Sequence, residues 1–294
     1  MLEIVNPNKV YAPDFLSAGH TISFTSAADQ RPFTFNIIKP FEPWTKSAVF
    51  LVRADELSHE PVVLKVYDPR FLDDRLFETP SAPARPWTLE AEKAANTLPD
   101  DVDQGEIHDP EPDESDVEGK RFRAALWEKF FRGLLYESYE SECRAYEVLK
   151  QYQGSAIPRM LLTGSVTYSD ERAIRPQAVV LEYVPDAVCI RDISPDALSV
   201  ELCSPLVRAI DEFKTHGVTH GDVGYSNVLF SPGDRPARAV LIDFGLAGFR
   251  QDQDDDEWQY VVEWRGDSHR IRHLLKEKGI RFPPLPFSLR PPSP

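Results

Sequence analysis

The chain has 294 residues, of which 41% are hydrophobic, enough to form one large domain or two lobes. It carries 48 acidic against 33 basic residues, a formal net charge of -15, which argues against anionic partners such as nucleic acid or an acidic membrane surface. No apolar run reaches the roughly 18 residues of a membrane span, so the sequence predicts no transmembrane helix.

The cysteines and the first residues indicate an intracellular protein, cytoplasmic or nuclear. Cys143, Cys189 and Cys203 are odd in number and widely spaced, a pattern that fits reduced thiols better than a disulfide framework or a zinc site. The opening MLEIVNPNKV has no basic segment followed by an apolar core, so no secretory signal is expected.

The first predicted elements are strands. Residues 33–38, 48–53 and 61–67 are short runs rich in β-branched and aromatic residues, which is typical of β-structure. The third run, PVVLKVY, contains a single charged side chain, Lys65.

An acidic, proline-punctuated stretch follows at about residues 79–119. Between residues 89 and 118 it holds twelve Asp or Glu and one Lys, a net of -11 out of the total of -15. Such a composition leaves little apolar surface to offset the entropy lost on ordering, so we predict a disordered insertion, with an acidic docking arm as the less favoured alternative.

Helices dominate the rest of the chain. Apolar residues recur at helical spacing through residues 195–216, and an acidic run at 252–257 predicts the start of the last helix, because carboxylates favour helix N-termini. The other predicted elements are a long helix, three strands and a final helix, at residues 121–152, 178–184, 227–230, 239–242 and 267–279.

Residues suited to phosphoryl transfer cluster in two short motifs. His220-Gly221-Asp222-Val223-Gly224-Tyr225-Ser226-Asn227 places a carboxylate five residues before an amide, and Leu241-Ile242-Asp243-Phe244-Gly245 delivers a second carboxylate after a strand. One carboxylate can accept the proton of an attacking hydroxyl, while a carboxylate and an amide oxygen can hold Mg²⁺.

These motifs resemble those of the protein-kinase superfamily. The first is similar to the catalytic loop H-R-D-x-x-x-x-N, with Gly221 in the place of the arginine, and the second is an intact D-F-G. The resemblance implies an α+β, two-lobed fold: a sheet-rich N-lobe over residues 1–184, interrupted by the insertion, and a short helical C-lobe over 185–294 with a proline-rich tail. It also implies that Asp222 is the catalytic base and that Asn227 and Asp243 bind the metal.

The upstream half can be matched to the same family. Val62-Val63-Leu64-Lys65 resembles the element that supplies the phosphate-binding lysine. The helix glutamate that orients this lysine would be Glu142, with Glu147 as the competitor. The run 179–184 is similar to a kinase hinge, and the residues implied to surround adenine are Val63, Leu181, Glu182, Val184 and Leu229.

The sequence also departs from ordinary protein kinases. Residues 39–46 (KPFEPWTK) lie where a glycine-rich phosphate loop is expected, and no Ala-Pro-Glu follows Asp243. With Gly221 in the arginine position, activation by loop phosphorylation is not expected. The His-Gly-Asp form resembles aminoglycoside and choline phosphotransferases, and the whole layout resembles the protein-kinase-like proteins of filamentous fungi.

Two functions follow from this resemblance. The first is an ATP- and Mg²⁺-dependent phosphotransferase that acts on a hydroxyl of a protein or small molecule. The second is a pseudokinase, a scaffold that binds nucleotide or a partner. The missing glycines favour the scaffold, whereas the retained set Lys65, Glu142, Asp222, Asn227 and Asp243 favours the enzyme.

Overall fold

The computed structural model describes residues 10–78 and 83–283. It is an α+β structure in which the chain divides into two compact units. The first unit comprises residues 1–139 and 161–181, and the second comprises 140–160 and 182–294. The predicted boundary at residue 184 lies close to this division, but residues 140–160, which we placed in the first domain, group with the second unit. None of the described helices is both long and apolar enough to cross a membrane.

The first unit is built on a closed six-stranded barrel with strand order β1-β2-β3-β4-β6-β5. The strands are β1 (Thr21–Ser26), β2 (Pro32–Pro40), β3 (Ala48–Arg53), β4 (Val62–Tyr67), β5 (Met160–Thr167) and β6 (Gln177–Glu182). Alternate side chains of each strand point inward, as the period of two requires, and residues such as Phe35, Phe50 and Leu64 fill the interior.

The barrel closes where β1 pairs with β5. Gly164 on β5 lies opposite Ser26, and a Cβ built on it would come within 2.1 Å of the Thr25 carbonyl oxygen and 2.5 Å of the Phe24 ring. Only glycine allows the two strands to approach this closely. The predicted strands at 33–38, 48–53, 61–67 and 178–184 are confirmed as β2, β3, β4 and β6, whereas β1 and β5 were not predicted.

The loop between β2 and β3 is packed into the barrel. Trp44 is 2% exposed, its ring centroid lies 5.1 Å from that of Phe50 and 4.9 Å from that of Phe71, and its backbone N–H donates to the Val10 carbonyl at 2.8 Å. The loop therefore contributes to the core, where a glycine-rich loop would leave its backbone free to fold over phosphates.

The prediction of a disordered insertion at about 79–119 is wrong for residues 83–119, and residues 79–82 lie outside the described residues. Residues 83–119 contain helix α1 (Leu89–Ala95), a 3₁₀ turn at Gln104–His108 and the start of the long helix α2 (Val117–Val148). Buried polar contacts order it: Glu92 of α1 accepts hydrogen bonds from Trp87, from the Ala173 N–H and from Arg172. Composition predicted disorder because the segment has little apolar surface, but buried ionic contacts between distant residues order it instead.

The same contacts extend to the end of β4, three residues after Lys65. Asp68, which is fully buried, accepts hydrogen bonds from Arg70 at 2.9 Å and from Arg172 at 2.8 Å. Burial alone would raise the pKa of Asp68, but the charges of Arg172 and Arg70 hold it below its ordinary value. Helix α1, strand β4 and the 170–173 segment therefore share one charged centre, which we call the arginine centre (Asp68, Arg70, Glu92 and Arg172).

The second unit combines short strands with helices. Its elements are β7 (Val188–Cys189), α3 (Val200–Phe213), β8 (Val218–Thr219), β9 (Val228–Ser231), β10 (Arg238–Leu241), β11 (Gly248–Phe249), α4 (Asp255–Arg265) and α5 (Asp267–Glu277). Strands β10, β9 and β7 form one small sheet, and β11 pairs with β8. Helices α3 and α5 pack together, and Arg272 makes a bidentate ion pair with Asp211.

Most predicted elements of this half are confirmed, and the helix predicted at 267–279 is α5. Strands β7, β8 and β11 were not predicted. The acidic run at 252–257 also starts a helix, because Asp254 and Glu257 form a capping box, but that helix is α4 and not the last one. Gly266 separates the two helices with a left-handed φ of +70°. The part of the predicted proline-rich tail beyond residue 283 lies outside the described residues.

Candidate active site

The loop between β8 and β9 holds the first predicted motif in a fixed conformation. Asn227, at its end, donates its side-chain amide to the Asp222 backbone carbonyl at 2.9 Å and to the Asp222 carboxylate at 3.0 Å. The Asp222 side chain is half-buried and Asn227 is 6% exposed. The five-residue spacing therefore closes a small ring of hydrogen bonds that aims the carboxylate.

His220 braces this loop from beneath. It is fully buried, accepts the Asp222 backbone N–H on Nδ1 at 3.1 Å and lies 3.0 Å through Nε2 from the Ile242 carbonyl. These two contacts require a proton on Nε2 and a lone pair on Nδ1, the neutral imidazole. Burial lowers the pKa of His220, although the negative charge of Asp267 acts in the opposite direction, so the neutral form is the stable one.

Asp267 holds the other side of the loop and was not recognised as a site residue from the sequence. Its carboxylate accepts the backbone N–H groups of His220 at 2.6 Å and Gly221 at 3.0 Å, and it is 7% exposed. No local signal marks it, since an Asp at the start of a predicted helix is an ordinary N-terminal residue. We predicted only that a helix begins there.

Gly221 is required by the geometry of the loop. Its φ is +80°, and a Cβ at this position would lie 2.7 Å from the Leu246 carbonyl oxygen and 2.8 Å from a guanidinium nitrogen of Arg265. Glycine in place of the arginine of the kinase motif therefore has a local cause, because the backbone at position 221 leaves no room for a side chain.

The β9–β10 hairpin brings the second motif to the first. The two strands are antiparallel with Val228 opposite Leu241, and the Ile242 N–H donates to the Asn227 carbonyl at 2.9 Å. Asp243 follows directly, half-buried and in the left-handed region with φ of +69°. A non-glycine residue held in this region costs about 1 kcal/mol or more, and such residues concentrate at functional sites.

Phe244 fixes the orientation of the Asp243 turn. It is fully buried, and its ring centroid lies 4.6 Å from that of His220, 5.4 Å from that of Tyr146 and 6.0 Å from that of Phe213. Burial raises the pKa of the Tyr146 hydroxyl, so this tyrosine stays neutral beside the acidic residues. The D-F-G motif is thus anchored through its aromatic residue.

The donor set at these loops fits Mg²⁺ in chemical type. Asp243 supplies a carboxylate and Asn227 an amide oxygen, and hard oxygen ligands are those that Mg²⁺ prefers. Within residues 10–78 and 83–283 there is no cluster of three or more His, Cys, Asp or Glu side chains that could hold a metal.

Lys65 lies in the first unit on the outer face of the barrel. Val62, Leu64 and Val66 point into the core, so Lys65 occupies the opposite face of β4, where it is 5% exposed. Its Nζ lies 5.3 Å from the centroid of the Tyr67 ring, close enough for a cation–π interaction. The strand alternation that fills the barrel therefore places the lysine outside it.

The two glutamates considered for α2 differ in burial. Glu142 is fully buried, whereas Glu147, one and a half turns later, is exposed. A buried carboxylate needs a compensating interaction, while an exposed one does not. The burial pattern of the helix therefore favours Glu142 over Glu147 as the functional residue.

The residues implied to surround adenine are distributed over both units. In the first unit Leu181 is 6% exposed and Val63 is half-buried on β4. In the second unit Val184 is 6% exposed and Leu229 is half-buried on β9. Glu182 makes an ion pair with Arg238 at 2.5 Å and donates its N–H to the Arg159 carbonyl at 2.8 Å.

The known proteins to which this chain is similar are kinases. No protein-family model matches the chain. A segment of 106 residues is 30% identical to the serine/threonine-protein kinase VRK1 of Caenorhabditis briggsae, covering 35% of this chain and 19% of that protein. The chain thus spans about a fifth of the length of this curated relative.

Two solved structures similar to the chain are also kinases. The Cydia pomonella granulovirus kinase PK-1 has 12% identity and a TM-score of 0.39, over 73% of this chain and 55% of that one. The Mycobacterium tuberculosis PknI kinase domain has 16% identity and a TM-score of 0.42, over 88% and 75% respectively. The curated relative, together with the two motifs, confirms that this chain resembles the protein-kinase-like superfamily.

Proposed function

We propose that this protein is an ATP-dependent phosphotransferase that transfers the γ-phosphoryl group to a hydroxyl group of a protein or small molecule. The observation that carries the proposal is the ordered catalytic loop. Asn227 and His220 fix Asp222, and the β9–β10 hairpin delivers Asp243 next to Asn227 in register. The left-handed backbone of Asp243 supports a functional role for this loop, because strained residues concentrate at functional sites.

Asp222 is the base in this proposal. Its carboxylate takes the proton of the acceptor hydroxyl as the hydroxyl oxygen forms a bond to the γ-phosphorus, and the bond to the β-phosphate oxygen breaks to release ADP. The Asn227 amide donates a hydrogen bond to the Asp222 carboxylate at 3.0 Å and would hold it in the orientation needed to accept the proton. Neutral His220 supports the loop and takes no part in the proton transfer.

Asn227 and Asp243 would hold Mg²⁺, which supplies positive charge to the phosphates of the bound nucleotide. Lys65 would contact the α- and β-phosphates, and Glu142 would orient Lys65. The adenine contacts would come from Val63, Leu181, Val184, Leu229 and the Glu182 carbonyl. We further propose that the two units correspond to the N-lobe and a shortened C-lobe of a kinase.

A nucleotide-binding pseudokinase is the second candidate, and the β2–β3 loop favours it. With Trp44 buried against Phe50 and Phe71, this loop has no glycine to fold over a triphosphate. Binding would then depend on Lys65 and on the metal ligands, and turnover would be slow or absent.

The test compares three proteins: wild type, Asp222→Asn and the control Asp256→Asn, which alters an exposed residue of α4. Transfer of ³²P from γ-labelled ATP to casein and to water is measured with Mg²⁺. We expect Asp222→Asn to lower turnover about 10²- to 10⁴-fold, the usual contribution of a general base. The Asp256→Asn protein should retain wild-type turnover.

A thermal-shift titration with ATP separates binding from catalysis. Nucleotide at a hundredfold its Kd stabilises a protein by about 2.7 kcal/mol, a rise in Tm of roughly 5–10 °C. Asp222→Asn should keep this shift, and Asp243→Asn should lose its Mg²⁺-dependent part. A shift in every protein without transfer would support the pseudokinase, and the absence of any shift would refute both candidates.

A further inference from the structure

The ordered insertion forms a groove that phosphoryl transfer does not use. It lies in the first unit, between α1 and the first turns of α2, and has a volume of about 670 Å³. Its apolar lining comes from α1, from the turn that follows α1 and from α2: Leu89, Ala94, Leu98, Phe122 and Ala125. Its polar lining residues are Glu90, Lys93, Thr97, Glu118 and Arg121. Phe122 is 39% exposed, although nothing in its own helix requires an aromatic residue at a solvent-facing position.

The walls of the groove are held in place from behind. The opposite face of α1 carries Glu92, which is fixed in the arginine centre by Arg172. At the C-terminal end of α1, Asn96 accepts a hydrogen bond from Arg132 of α2 at 2.6 Å, and Lys129 of α2 donates to the Pro99 carbonyl. A site whose walls are already ordered loses little conformational entropy when it is filled.

The charged residues that line the groove balance one another, Glu90 and Glu118 against Lys93 and Arg121, so its negative charge comes from the adjoining loop. This loop, residues 99–116, joins the two helices and contains nine exposed Asp or Glu residues and no Lys or Arg. Two of the nine are paired, Asp100 with Lys129 and Glu111 with Arg85. Across the rim, Arg121 and Glu90 form an exposed pair at 3.7 Å, which contributes little to stability and can open at small cost. An apolar lining beside a dense negative field selects an occupant with apolar anchors and positive flanks.

We propose that this groove is a docking site for a basic segment of a partner protein. An aliphatic or aromatic side chain of the segment packs between Leu98 and Phe122, and its Lys or Arg residues face the carboxylates of the 99–116 loop. The other occupants conflict with the charge: nucleic acid and acidic membranes are repelled, and a second copy of this chain would bring the same acidic loop. The proposal does not depend on the proposed catalytic activity.

The two parts of the site contribute differently. The apolar contacts at Phe122 and Leu98 exclude water and set the dissociation rate, as buried anchors do at protein interfaces. The acidic loop raises the association rate, and its contribution falls as salt screens the exposed charges. Mutations of the apolar lining and mutations of the loop should therefore have separable effects.

The probe is a fluorescein-labelled peptide of 14 residues in which Leu recurs every third or fourth position among Lys residues. Two matched peptides replace every Lys by Glu, or every Leu by Ser. Fluorescence anisotropy with the full chain gives the Kd at low and at high salt. We expect the Leu–Lys peptide to bind at least about tenfold more tightly than either matched peptide, with an affinity that falls as salt rises.

Variants locate the binding site. Phe122→Ser should weaken binding about tenfold, whereas Phe77→Ser, which alters a 61% exposed ring of the same unit outside the groove, should leave it unchanged. The triple variant Asp113→Asn, Glu114→Gln, Asp116→Asn should slow association and flatten the salt dependence. Amide hydrogen exchange of the wild-type protein, which needs no variant to fold, should show protection by the peptide in α1 and in the first turns of α2.

Four results would overturn the proposal. They are equal affinity for the Leu–Lys and Ser–Lys peptides, which would mean charge attraction without the groove; equal loss of affinity in Phe122→Ser and Phe77→Ser; protection outside α1 and α2; and absence of binding. Sedimentation of the chain alone tests the competing occupant: a dimer that Phe122→Ser dissociates would assign the groove to a second copy.

Discussion

The two units keep charge inside the protein in different ways. In the first unit, the arginine centre buries two carboxylates, Asp68 and Glu92, against guanidinium groups. In the second unit, the centre beneath the 220–227 loop buries one carboxylate, Asp267, against backbone N–H groups, and keeps His220 neutral. In the first centre guanidinium groups compensate the buried carboxylates, and in the second centre backbone N–H dipoles compensate the buried carboxylate.

This difference predicts different sensitivities. Ion pairs in the interior depend on every member, because removal of one charge strands another in a medium that solvates it poorly. A centre built on backbone groups depends on chain geometry and on the protonation state of its histidine. The first should fail when a side chain is removed, and the second when the backbone or the pH changes.

The largest expected effect comes from removal of the shared cation of the arginine centre. Arg172→Leu leaves the Glu92 carboxylate without its guanidinium and Asp68 with Arg70 alone. We expect the free energy of unfolding to fall by about 3–5 kcal/mol, the usual cost of breaking a buried ion pair. Urea unfolding gives the magnitude, and limited proteolysis should show faster cleavage within residues 83–119.

Arg175→Leu is the matched control, because Arg175 is exposed and lies three residues away on the same segment. It should change stability by less than about 0.5 kcal/mol, as exposed substitutions do. Equal effects of the two variants would show that the arginine centre does not order the insertion.

The second effect tests the carboxylate of the other centre. Asp267→Asn keeps the shape but removes the charge, and it turns an N–H donor toward one of the two backbone N–H groups that Asp267 now accepts. We expect a loss of about 2–3 kcal/mol, and lower hydrogen-exchange protection at the amides of His220 and Gly221. The control Asp256→Asn on α4 should leave that protection as it is; unchanged protection in Asp267→Asn as well would contradict the assignment.

A Cβ at Gly221 should act on the same centre through the backbone. Gly221→Ala places a methyl group 2.7 Å from the Leu246 carbonyl oxygen at a φ of +80°, and we expect a loss of about 2 kcal/mol. Gly133→Ala is the contrast, because its Cβ would meet nothing within 4 Å in the middle of α2. Gly133→Ala should be stabilised by about 0.5–1 kcal/mol. Equal destabilisation of Gly221→Ala and Gly133→Ala would show that the lack of space for a Cβ at Gly221 is not the cause.

The same contrast explains what the sequence could predict. The proposed site residues Asp222, Asn227 and Asp243 lie within 22 positions, in motifs whose spacing is local. The structure places Asn227 and Asp243 at adjoining points of one hairpin. The arginine centre joins Asp68 to Arg172 across 104 positions. No local pattern indicates that pairing, so a segment ordered by it was predicted to be disordered.

Missed elements have equally physical reasons. Strand β1 offers only Ile22 and Phe24 as apolar residues in a run of Thr and Ser, a weak signal until β2 and β5 bury them. Asp267 was missed because its role depends on backbone groups 46 and 47 positions away, which composition does not reveal.

The smallest expected effect is the pH dependence of the His220 centre. The pKa of His220 is lowered in the folded state, chiefly by burial and against the attraction of Asp267, Asp243 and Asp222. Below the unfolded value of about 6.5 the unfolded chain therefore binds a proton that the folded protein does not, so stability falls as pH falls. Urea unfolding between pH 7.5 and 5.5 should therefore give a free energy of unfolding that decreases toward the acidic end of the range.

Two carboxyl groups of the first unit change the stability of the protein only at a more acidic pH than His220 does. The pKa values of Asp68 and Glu92 are lowered, so their contribution is present above their unfolded values near 4 and is lost only at more acidic pH. Burial raises the pKa of Glu128, although Arg75 acts in the opposite direction, so Glu128 also contributes to the pH dependence of stability. The test is therefore the difference between wild type and His220→Gln in the slope of the free energy of unfolding against pH. His59→Gln, at an exposed position, is the control and should keep the wild-type slope. If His220→Gln keeps it too, the second unit does not hold a neutral histidine beneath the 220–227 loop.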